Sequence, residues 1–223
     1  MRKFIFFFIF NLTCFSLFAQ VDINRIAPGA IDKFTELLNK PAMVKPATAT
    51  PLGKNWFTLE TDCHIFTDQV SLKQVVAVLL DIENQPEYFN GKLSKLQISN
   101  INRSGNEISA DFVSIAMAGP FQLKTPYKAS VRITLNSDTQ FAVSIIQLAN
   151  NSASNTGMKN MQAPRYAEEV TINGKKYTYI RMYAIEDINA SILPGAKGTL
   201  EKNSFPANQE AMNMLIAAAK TKP

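Results

Sequence analysis

Apolar and polar residues alternate along most of the chain after residue 56. In the stretch FTLETDCHI, one face carries Phe57, Leu59, Thr61, Cys63 and Ile65, and the other carries Glu60, Asp62 and His64. Alternation with a period of two predicts a β-strand that buries one face. We therefore expect His64 to be a surface histidine.

The same alternation returns in a series of segments separated by short turns. FQLKTPYKASVRITL alternates most clearly, and it follows EISADFVSIAM after a short gap. Pro126 inside this segment predicts an edge, a bend or a bulge. Turn sequences such as NRSGN and NSDT join neighbouring segments, and short turns of this kind predict antiparallel strands.

The segment VVAVLLDIENQPEYFNG, residues 75–91, replaces the alternation with a helical pattern. Apolar residues recur there at spacings of three and four, namely Leu72, Val75, Val76, Leu79 and Leu80, which predicts an amphipathic helix. Ser71 is suited to cap its N-terminus, and Pro86 disfavours helix at the residue before it. The pattern predicts a helix, a break and a second short turn of helix.

The dipeptide Asn173-Gly174 predicts a tight β-hairpin. A two-residue loop pairs Ile172 with Lys175, Val170 with Tyr177, Glu168 with Tyr179, and Tyr166 with Arg181. One face of the hairpin then carries the tyrosines and Arg181, and the other carries Ile180, Met182 and Ala184. Either face can point inward. We favour the aliphatic face, with the tyrosines and Arg181 in a solvent-exposed ladder, because a buried arginine is costly unless it is paired.

The last segment, PANQEAMNMLIAAAK, has the spacing of a helix with one apolar face, and Pro206 falls near its first turn. The chain is thus predicted to be α+β, with a curved antiparallel sheet of about seven strands gripping a C-terminal helix and a broken helix after the first strand. A strongly curved sheet around one helix tends to leave a cavity, which is the physical reason to expect a ligand. Complete filling of that space by side chains is the alternative.

The first 19 residues have the layout of a secretory signal peptide, with basic Arg2 and Lys3, an apolar run, and Ala19 suited to cleavage. The run is short for a spanning helix. We expect an exported protein, periplasmic or secreted, with no transmembrane span in the mature chain. Cys14 lacks the small residue that usually precedes an acylated cysteine, which argues against lipidation.

Residues 20–53 form a separate piece ahead of a domain that spans residues 54–223. PGAIDKFTELLNK places four apolar residues on one helical face, Ile31, Phe34, Leu37 and Leu38. PATATPLG is typical of an extended connector. The sequence leaves open whether this helix packs on the domain or serves as an arm.

Composition narrows the classes of function. Removal of the signal peptide leaves 21 basic and 18 acidic residues, a net charge of +3, and the basic residues are scattered. No nucleic-acid partner is therefore expected. Cys63 is then the only cysteine, which excludes an intramolecular disulfide. His64 is the only histidine and no Cys/His cluster exists, so neither a metal nor another cofactor is expected.

The stretch VVAVLLDIENQPEYF resembles the first helical segment of the START and polyketide-cyclase-like superfamily, the helix-grip fold of SRPBCC type. That segment has the pattern V-W-x-x-L-x-D, a spacer, a proline and an aromatic residue, and the matching positions are Val75, Leu79 or Leu80, Asp81, Pro86 and Tyr88. The order of predicted elements over residues 56–221 matches as well. The resemblance implies a helix-grip domain with a cavity, in a superfamily of carriers, cyclases, hydrolases and regulators.

Inward-facing residues of the strands and of the last helix are the candidate ligand contacts. Tyr179 and Arg181 join them if the aromatic face of the hairpin points inward, in which case Arg181 is suited to anchor a carboxylate or a phosphate. The candidates are Phe112, Phe121, Leu123, Tyr127, Val131, Tyr179, Arg181, Met212 and Leu215.

These observations favour an exported START-like protein that binds a lipid or another hydrophobic small molecule between the sheet and the C-terminal helix. One alternative is a cyclase- or hydrolase-type enzyme. The chain shows no Gly-x-Ser-x-Gly elbow and no carboxylate pair at a telling spacing, so only Glu168, Arg181 and the tyrosines offer acid–base chemistry, and no catalytic residue is assigned. The other alternative is a ligand-free envelope protein that meets a partner through its N-terminal helix or the loop at 150–164.

Overall fold

The computed structural model describes residues 23–118, 120–148, 157–191 and 193–223, and at residues 118 and 121 it describes the backbone alone. The predicted signal peptide and Cys14 lie outside the described residues. In chain order, the elements are α1 (Phe34–Leu37), β1 (Ala42–Met43), β2 (Thr48–Gly53), β3 (Trp56–Thr67), α2 (Leu72–Leu80), a 3-10 turn (Ile82–Asn84), α3 (Gln85–Tyr88), β4 (Ser94–Ser104), β5 (Glu107–Ala118), β6 (Phe121–Asn136), β7 (Gln140–Gln147), β8 (Met158–Gln162), β9 (Arg165–Ile172), β10 (Lys175–Asn189) and α4 (Ala196–Ala219).

The strands of the described residues form one ten-stranded antiparallel sheet, in the order β1-β3-β10-β8-β7-β6-β5-β4, with β2 beside β3 and β9 between β10 and β7. The predicted α+β class is confirmed, but the predicted number of about seven strands is too low. The additional strands are β1, β2 and β8. Each is short and lacks a sustained alternation of apolar and polar residues, so the sequence pattern does not reveal it.

The predicted broken helix is present as α2, the 3-10 turn and α3. Ser71 caps α2, because its Oγ accepts from the Gln74 N–H and the Gln74 side chain accepts from the Ser71 N–H. Asp81 follows the last turn and accepts hydrogen bonds from the Tyr88 hydroxyl and from Lys222 Nζ, the latter at 2.8 Å. Asp81 and Tyr88, two of the residues that match the sequence pattern, therefore bond the end of α2 to the C-terminal tail through Lys222.

Helix α4 begins at Ala196, which is ten residues earlier than the sequence pattern predicts. Gly195 precedes it with a φ of +56°, a conformation that glycine adopts without strain. Pro206 lies inside the helix, at an exposed position. Met212 and Leu215 are fully buried and pack with α2 against the inner face of the sheet, where the main core lies. Among the described residues, no helix is long and apolar enough to cross a membrane.

The hairpin of β9 and β10 has the predicted register, from Ile172 opposite Lys175 to Tyr166 opposite Arg181. Its aliphatic face points inward, as favoured from the sequence, and Ile180 and Met182 belong to the main core. The prediction of a solvent-exposed tyrosine ladder is wrong, because Tyr179 is fully buried on the outer face. The cover over that face comes from the N-terminal segment.

Residues 23–44, named here the N-terminal cover, pack on the outer face of the sheet and form a second core. Ile23, Ala30 and Leu37 of the cover are buried there against the sheet. The Ala27 N–H donates to the Tyr179 hydroxyl at 3.2 Å. The helix of the cover is a single turn, α1, and Ile31 is 47% exposed, so the predicted four-residue apolar face is only partly realised. The cover is packed on the domain and is not a free arm.

His64 is fully buried beneath the N-terminal cover, which corrects the expectation of a surface histidine. Its Nδ1 lies 2.8 Å from the Tyr179 hydroxyl, and its Nε2 lies 3.2 Å from an oxygen of Asp62. The guanidinium of Arg181 donates two hydrogen bonds to the same carboxylate. Burial favours the neutral form of Asp62, but the close approach of His64 and the hydrogen bonds from Arg181 outweigh it and lower the pKa of this carboxyl.

We predict that Leu37→Ala destabilises the protein by about 2–4 kcal/mol, because Leu37 is 1% exposed and its removal leaves a cavity between cover and sheet. Ile31→Ala removes a comparable aliphatic side chain from an exposed position and should change the stability by less than about 0.5 kcal/mol. Urea unfolding of both variants is the measurement. Equal stabilities for the two variants would show that the cover is only loosely attached.

Candidate functional site

A cavity of about 210 Å³ lies inside the main core, between the inner face of the sheet and the helices. Most of its walls are apolar, and every layer of the fold contributes. The lining residues are Leu79, Ile82, Gln85 and Phe89 from the broken helix and its end, Ser94, Lys95, Leu96, Phe112, Ser114, Tyr127, Val131, Val143, Ile145, Met161, Ala163, Arg165 and Met182 from the sheet, and Ala211 from α4.

An aromatic pair forms one wall of the cavity. Phe112 and Tyr127 are direct neighbours on β5 and β6, and their rings stack with centroids 5.3 Å apart and planes 8° from parallel. Burial raises the pKa of the Tyr127 hydroxyl, so this group stays protonated. It has no hydrogen-bond partner among the described residues, and it is therefore able to bond to a guest.

Arg165 is the charged residue that the sheet brings to the opposite wall. It lies opposite Met182 in the β9–β10 ladder, which places both side chains on the inner face. Its Nη1 donates to the carbonyls of Ala163, Pro164 and Tyr183 at 2.8–3.1 Å. Nε and Nη2 have no partner within the described residues. The carbonyls therefore hold the guanidinium in place while two of its nitrogens remain able to donate.

Glu186 lies on the same face of β10, four residues beyond Met182. Its carboxylate makes no hydrogen bond and no ion pair within the described part of the chain. Burial raises its pKa to about 7, although the charge of Arg165 acts in the opposite direction. Burial likewise lowers the pKa of Arg165, to about 10, which leaves the guanidinium charged at neutral pH. Arg165 is thus a half-buried cation whose nearby carboxylate is only partly ionised.

Glu210 of α4 fastens the loop that enters β4, next to the cavity. Its carboxylate accepts from the backbone N–H groups of Lys92, Leu93 and Ser94 at 2.8–3.0 Å. These bonds lower the pKa of Glu210 against the opposing effect of burial. A Cβ at Gly91 would come within 2.3 Å of the carboxylate, so a larger residue there would force the Glu210 side chain to shift. Ser94 and Lys95, which follow, line the cavity.

The residues predicted to contact a ligand are divided between several places. Phe112, Tyr127 and Val131 line the cavity. Met212 and Leu215 fill the adjoining core, and Leu123 packs in a third cluster beneath the N-terminal half of α4. The side chain of Phe121 lies outside the described residues. Tyr179 and Arg181 lie on the outer face of the sheet, on the side away from the cavity.

A second cavity of about 300 Å³ lies on that outer face, between the N-terminal cover and the sheet. Arg181, Asp62 and Tyr183 line it. Arg181 is held by Asp62, and Tyr183 donates to Glu60 at 3.0 Å. Its polar groups are therefore largely paired with one another, whereas Arg165 in the main cavity is not.

The sequence pattern missed Arg165, Glu186 and Glu210. The signal for Arg165 was present in the hairpin register, since one further pair places it opposite Met182 on the inward face. The inward position of Glu186 follows from the alternation along β10, because Glu186 is four residues beyond Met182 and lies on the same face. Glu210 had no local signal, because its partners are backbone groups more than a hundred residues away. No cluster of three or more His, Cys, Asp and Glu side chains that could hold a metal is found in the part of the chain that the structure describes.

The order of elements around the cavity is a strand, a broken helix, antiparallel strands and a C-terminal helix. The structure has the order of elements that the sequence predicts. It is similar to a solved fragment of a STAR-related lipid transfer protein from Xanthomonas axonopodis, with 8% identity over 76% of this chain and 99% of that chain and a TM-score of 0.46. Proteins from Thermus thermophilus and Geobacillus kaustophilus are similar at 12% identity, over 72% of this chain and 94% of theirs, with TM-scores of 0.47 and 0.45. No protein-family model and no curated protein sequence matches the chain.

We predict that Glu186→Gln makes the protein less sensitive to pH. The folded-state pKa of Glu186, about 7, lies above its ordinary value of 4.5. The folded protein therefore holds a proton that the unfolded chain has released between these values, and stability falls as the pH rises from about 5 to 7. At pH 8 the variant should be more stable than the wild type by up to about 3 kcal/mol, with little difference near pH 4.

The measurement is denaturant unfolding of both proteins between pH 4 and pH 8. Glu87→Gln, at an exposed position of α3, is the matched control and should follow the wild type. A constant stability difference between Glu186→Gln and the wild type over this range would contradict the assignment of the titration to Glu186.

Proposed function

We propose that the protein binds a small hydrophobic molecule in the 210 Å³ cavity between the sheet and α4. The observation that carries this proposal is the cavity itself, a partly open space beside the packed core whose walls are mostly apolar side chains. An apolar guest is favoured there because it removes its own surface from water, at about 25 cal/mol per Å².

The volume limits the class of occupant. A space of 210 Å³ suits a guest on the order of ten non-hydrogen atoms, and its open side allows a longer chain to extend toward solvent. Protein pockets for drug-sized ligands are larger, about 300–1,000 Å³. The proposal is therefore for a small apolar molecule or a short acyl chain, and a complete two-chain lipid requires the walls to move apart.

Binding is favoured over the other two functions by the positions of specific groups. Of the candidates for acid–base chemistry, Glu168 and Arg181 lie on the outer face, where Glu168 bonds to Tyr166 and Gln140 and Arg181 to Asp62, and only the tyrosines reach the cavity, through Tyr127. The N-terminal cover, the candidate surface for a partner, packs on the chain's own sheet.

Filling the cavity should abolish binding. Ala211 lines the cavity from α4, whereas Ala217, on the same helix, is exposed. We predict that the protein binds naphthalene, that Ala211→Trp weakens this binding by about tenfold or more because the indole occupies the space, and that Ala217→Trp leaves it unchanged. Fluorescence titration with naphthalene is the measurement. If naphthalene binds Ala211→Trp as tightly as the wild type, it is not bound in this cavity, and that result would contradict the proposed function.

Export is proposed on the N-terminal pattern of Arg2, Lys3, the apolar run and Ala19. We predict that the mature protein begins at Gln20 and is recovered from the periplasm or the medium. N-terminal sequencing of the protein from each cell fraction is the measurement. Recovery of a chain that retains Met1 from the cytoplasm alone would contradict export.

A further inference from the structure

The cavity contains a cation that no carboxylate of the described residues neutralises directly. Arg165 lines the wall, and its Nη1 is occupied by three backbone carbonyls at 2.8–3.1 Å. These bonds fix the position of the guanidinium without satisfying its charge. Nε and Nη2 remain without partners among the described residues, although a guanidinium presents paired N–H groups that match a carboxylate.

Glu186 does not fill this role. It shares the inner face with Arg165 and interacts with its charge, yet no oxygen of its carboxylate lies within ion-pair or hydrogen-bond distance of the guanidinium. Tyr127, on the facing strand β6, also interacts with both charges and keeps a free hydroxyl. The wall of an apolar cavity thus presents a free guanidinium edge and a free hydroxyl.

We propose that the guest is a small monocarboxylic acid whose carboxylate is bound by Arg165, with its apolar body lying along the Phe112–Tyr127 wall. This inference rests on the proposed function and names the chemical class of its ligand. Burying a carboxylate is costly unless it meets a counter-charge and hydrogen-bond donors. Arg165 supplies both, and the carbonyls that hold Nη1 keep its other donors oriented before the ligand arrives.

The cavity volume sets the length of the acid. Octanoate, with about ten non-hydrogen atoms, is a guest of this size, whereas a sixteen-carbon acid would extend out of the cavity. Octanol has the same chain and no charge, and it is the matched neutral probe. Lys95 is the other cation that lines the cavity, but it is exposed on β4, with β5, β6 and β7 between it and Arg165.

The experiment is calorimetric titration of the protein with octanoate and with octanol. We expect octanoate to bind about ten- to a hundredfold more tightly than octanol, the range for hydrogen bonds to charged groups. Arg165→Met should remove this preference and leave octanol binding within about threefold of the wild type. Lys95→Met should keep the preference, because Lys95 is exposed on β4, which β5, β6 and β7 separate from the strand of Arg165.

Glu186 gives a second variant that tests the proposal even if Arg165→Met fails to fold. When Glu186 is ionised, its negative charge weakens the attraction between Arg165 and the carboxylate of the ligand. Because Glu186 loses its proton as the pH rises through about 7, octanoate should bind up to about tenfold more tightly at pH 6 than at pH 8. Among the described residues, Arg165 and Tyr127 are the charged and titratable groups that interact with Glu186. Glu186→Gln should remove the pH dependence and strengthen octanoate binding at pH 8.

The outcomes separate this inference from the proposed function. If octanoate and octanol bind with equal affinity and naphthalene also binds, the proposal that the ligand is a carboxylic acid is wrong, and the protein binds apolar molecules without regard to charge. A preference for octanoate that survives Arg165→Met, or that is lost in Lys95→Met, overturns the role of Arg165. If octanoate binds Glu186→Gln and the wild type equally well at pH 8, the claim that ionised Glu186 weakens ligand binding is wrong. Failure of all three probes to bind overturns the proposed function as well.

Discussion

Strand β10 must be covered on both faces, and the rest of the structure is arranged around that requirement. Its inner face presents Ile180 and Met182, which need an apolar partner, and helices α2 and α4 provide it. Its outer face presents Tyr179 and Arg181, which need both cover and hydrogen bonds. The N-terminal cover excludes water from that face, while His64 and Asp62 supply the polar partners. A sheet of this kind is a central layer between two cores.

Side chains fill only part of the space between the inner face of the sheet and the helices, and the cavity occupies the rest. Met212 and Leu215 fill one part of the space beneath α4, and the broken helix fills another. Between them the walls stay apart, and a void remains that a few larger side chains would close. Glu210 holds the loop before β4 against α4, so one end of the cavity is defined by hydrogen bonds to backbone N–H groups. The cavity is thus framed by specific contacts that keep its walls in place.

The sequence predicts those parts of the fold that follow from local patterns. The hairpin register follows from Asn173-Gly174, because a two-residue loop leaves only one pairing. The capped helix and its break follow from Ser71, the apolar spacing and Pro86. Phe112, Tyr127 and Val131 were placed correctly at the inner face because the alternation of β5 and β6 is regular.

The features that the sequence did not reveal depend on contacts between distant segments. His64 sits among polar neighbours, and only the cover from residues 23–44 turns that polar face into an interior. The same cover places Tyr179 and Arg181 in a second core and leaves Arg165 as the arginine of the cavity. Short strands such as β1 and β8 form because a neighbouring edge is present, and their own residues carry little signal.

The claim on which the other conclusions depend is that the void between the sheet and α4 is a real, apolar space in the folded protein. Xenon enters such cavities because it needs no polar partner. A crystal of the protein under xenon pressure should show xenon bound between the Phe112–Tyr127 pair and Val143, with the surrounding side chains unmoved. A crystal structure in which these side chains meet across the space, with no xenon bound between them, would contradict the claim.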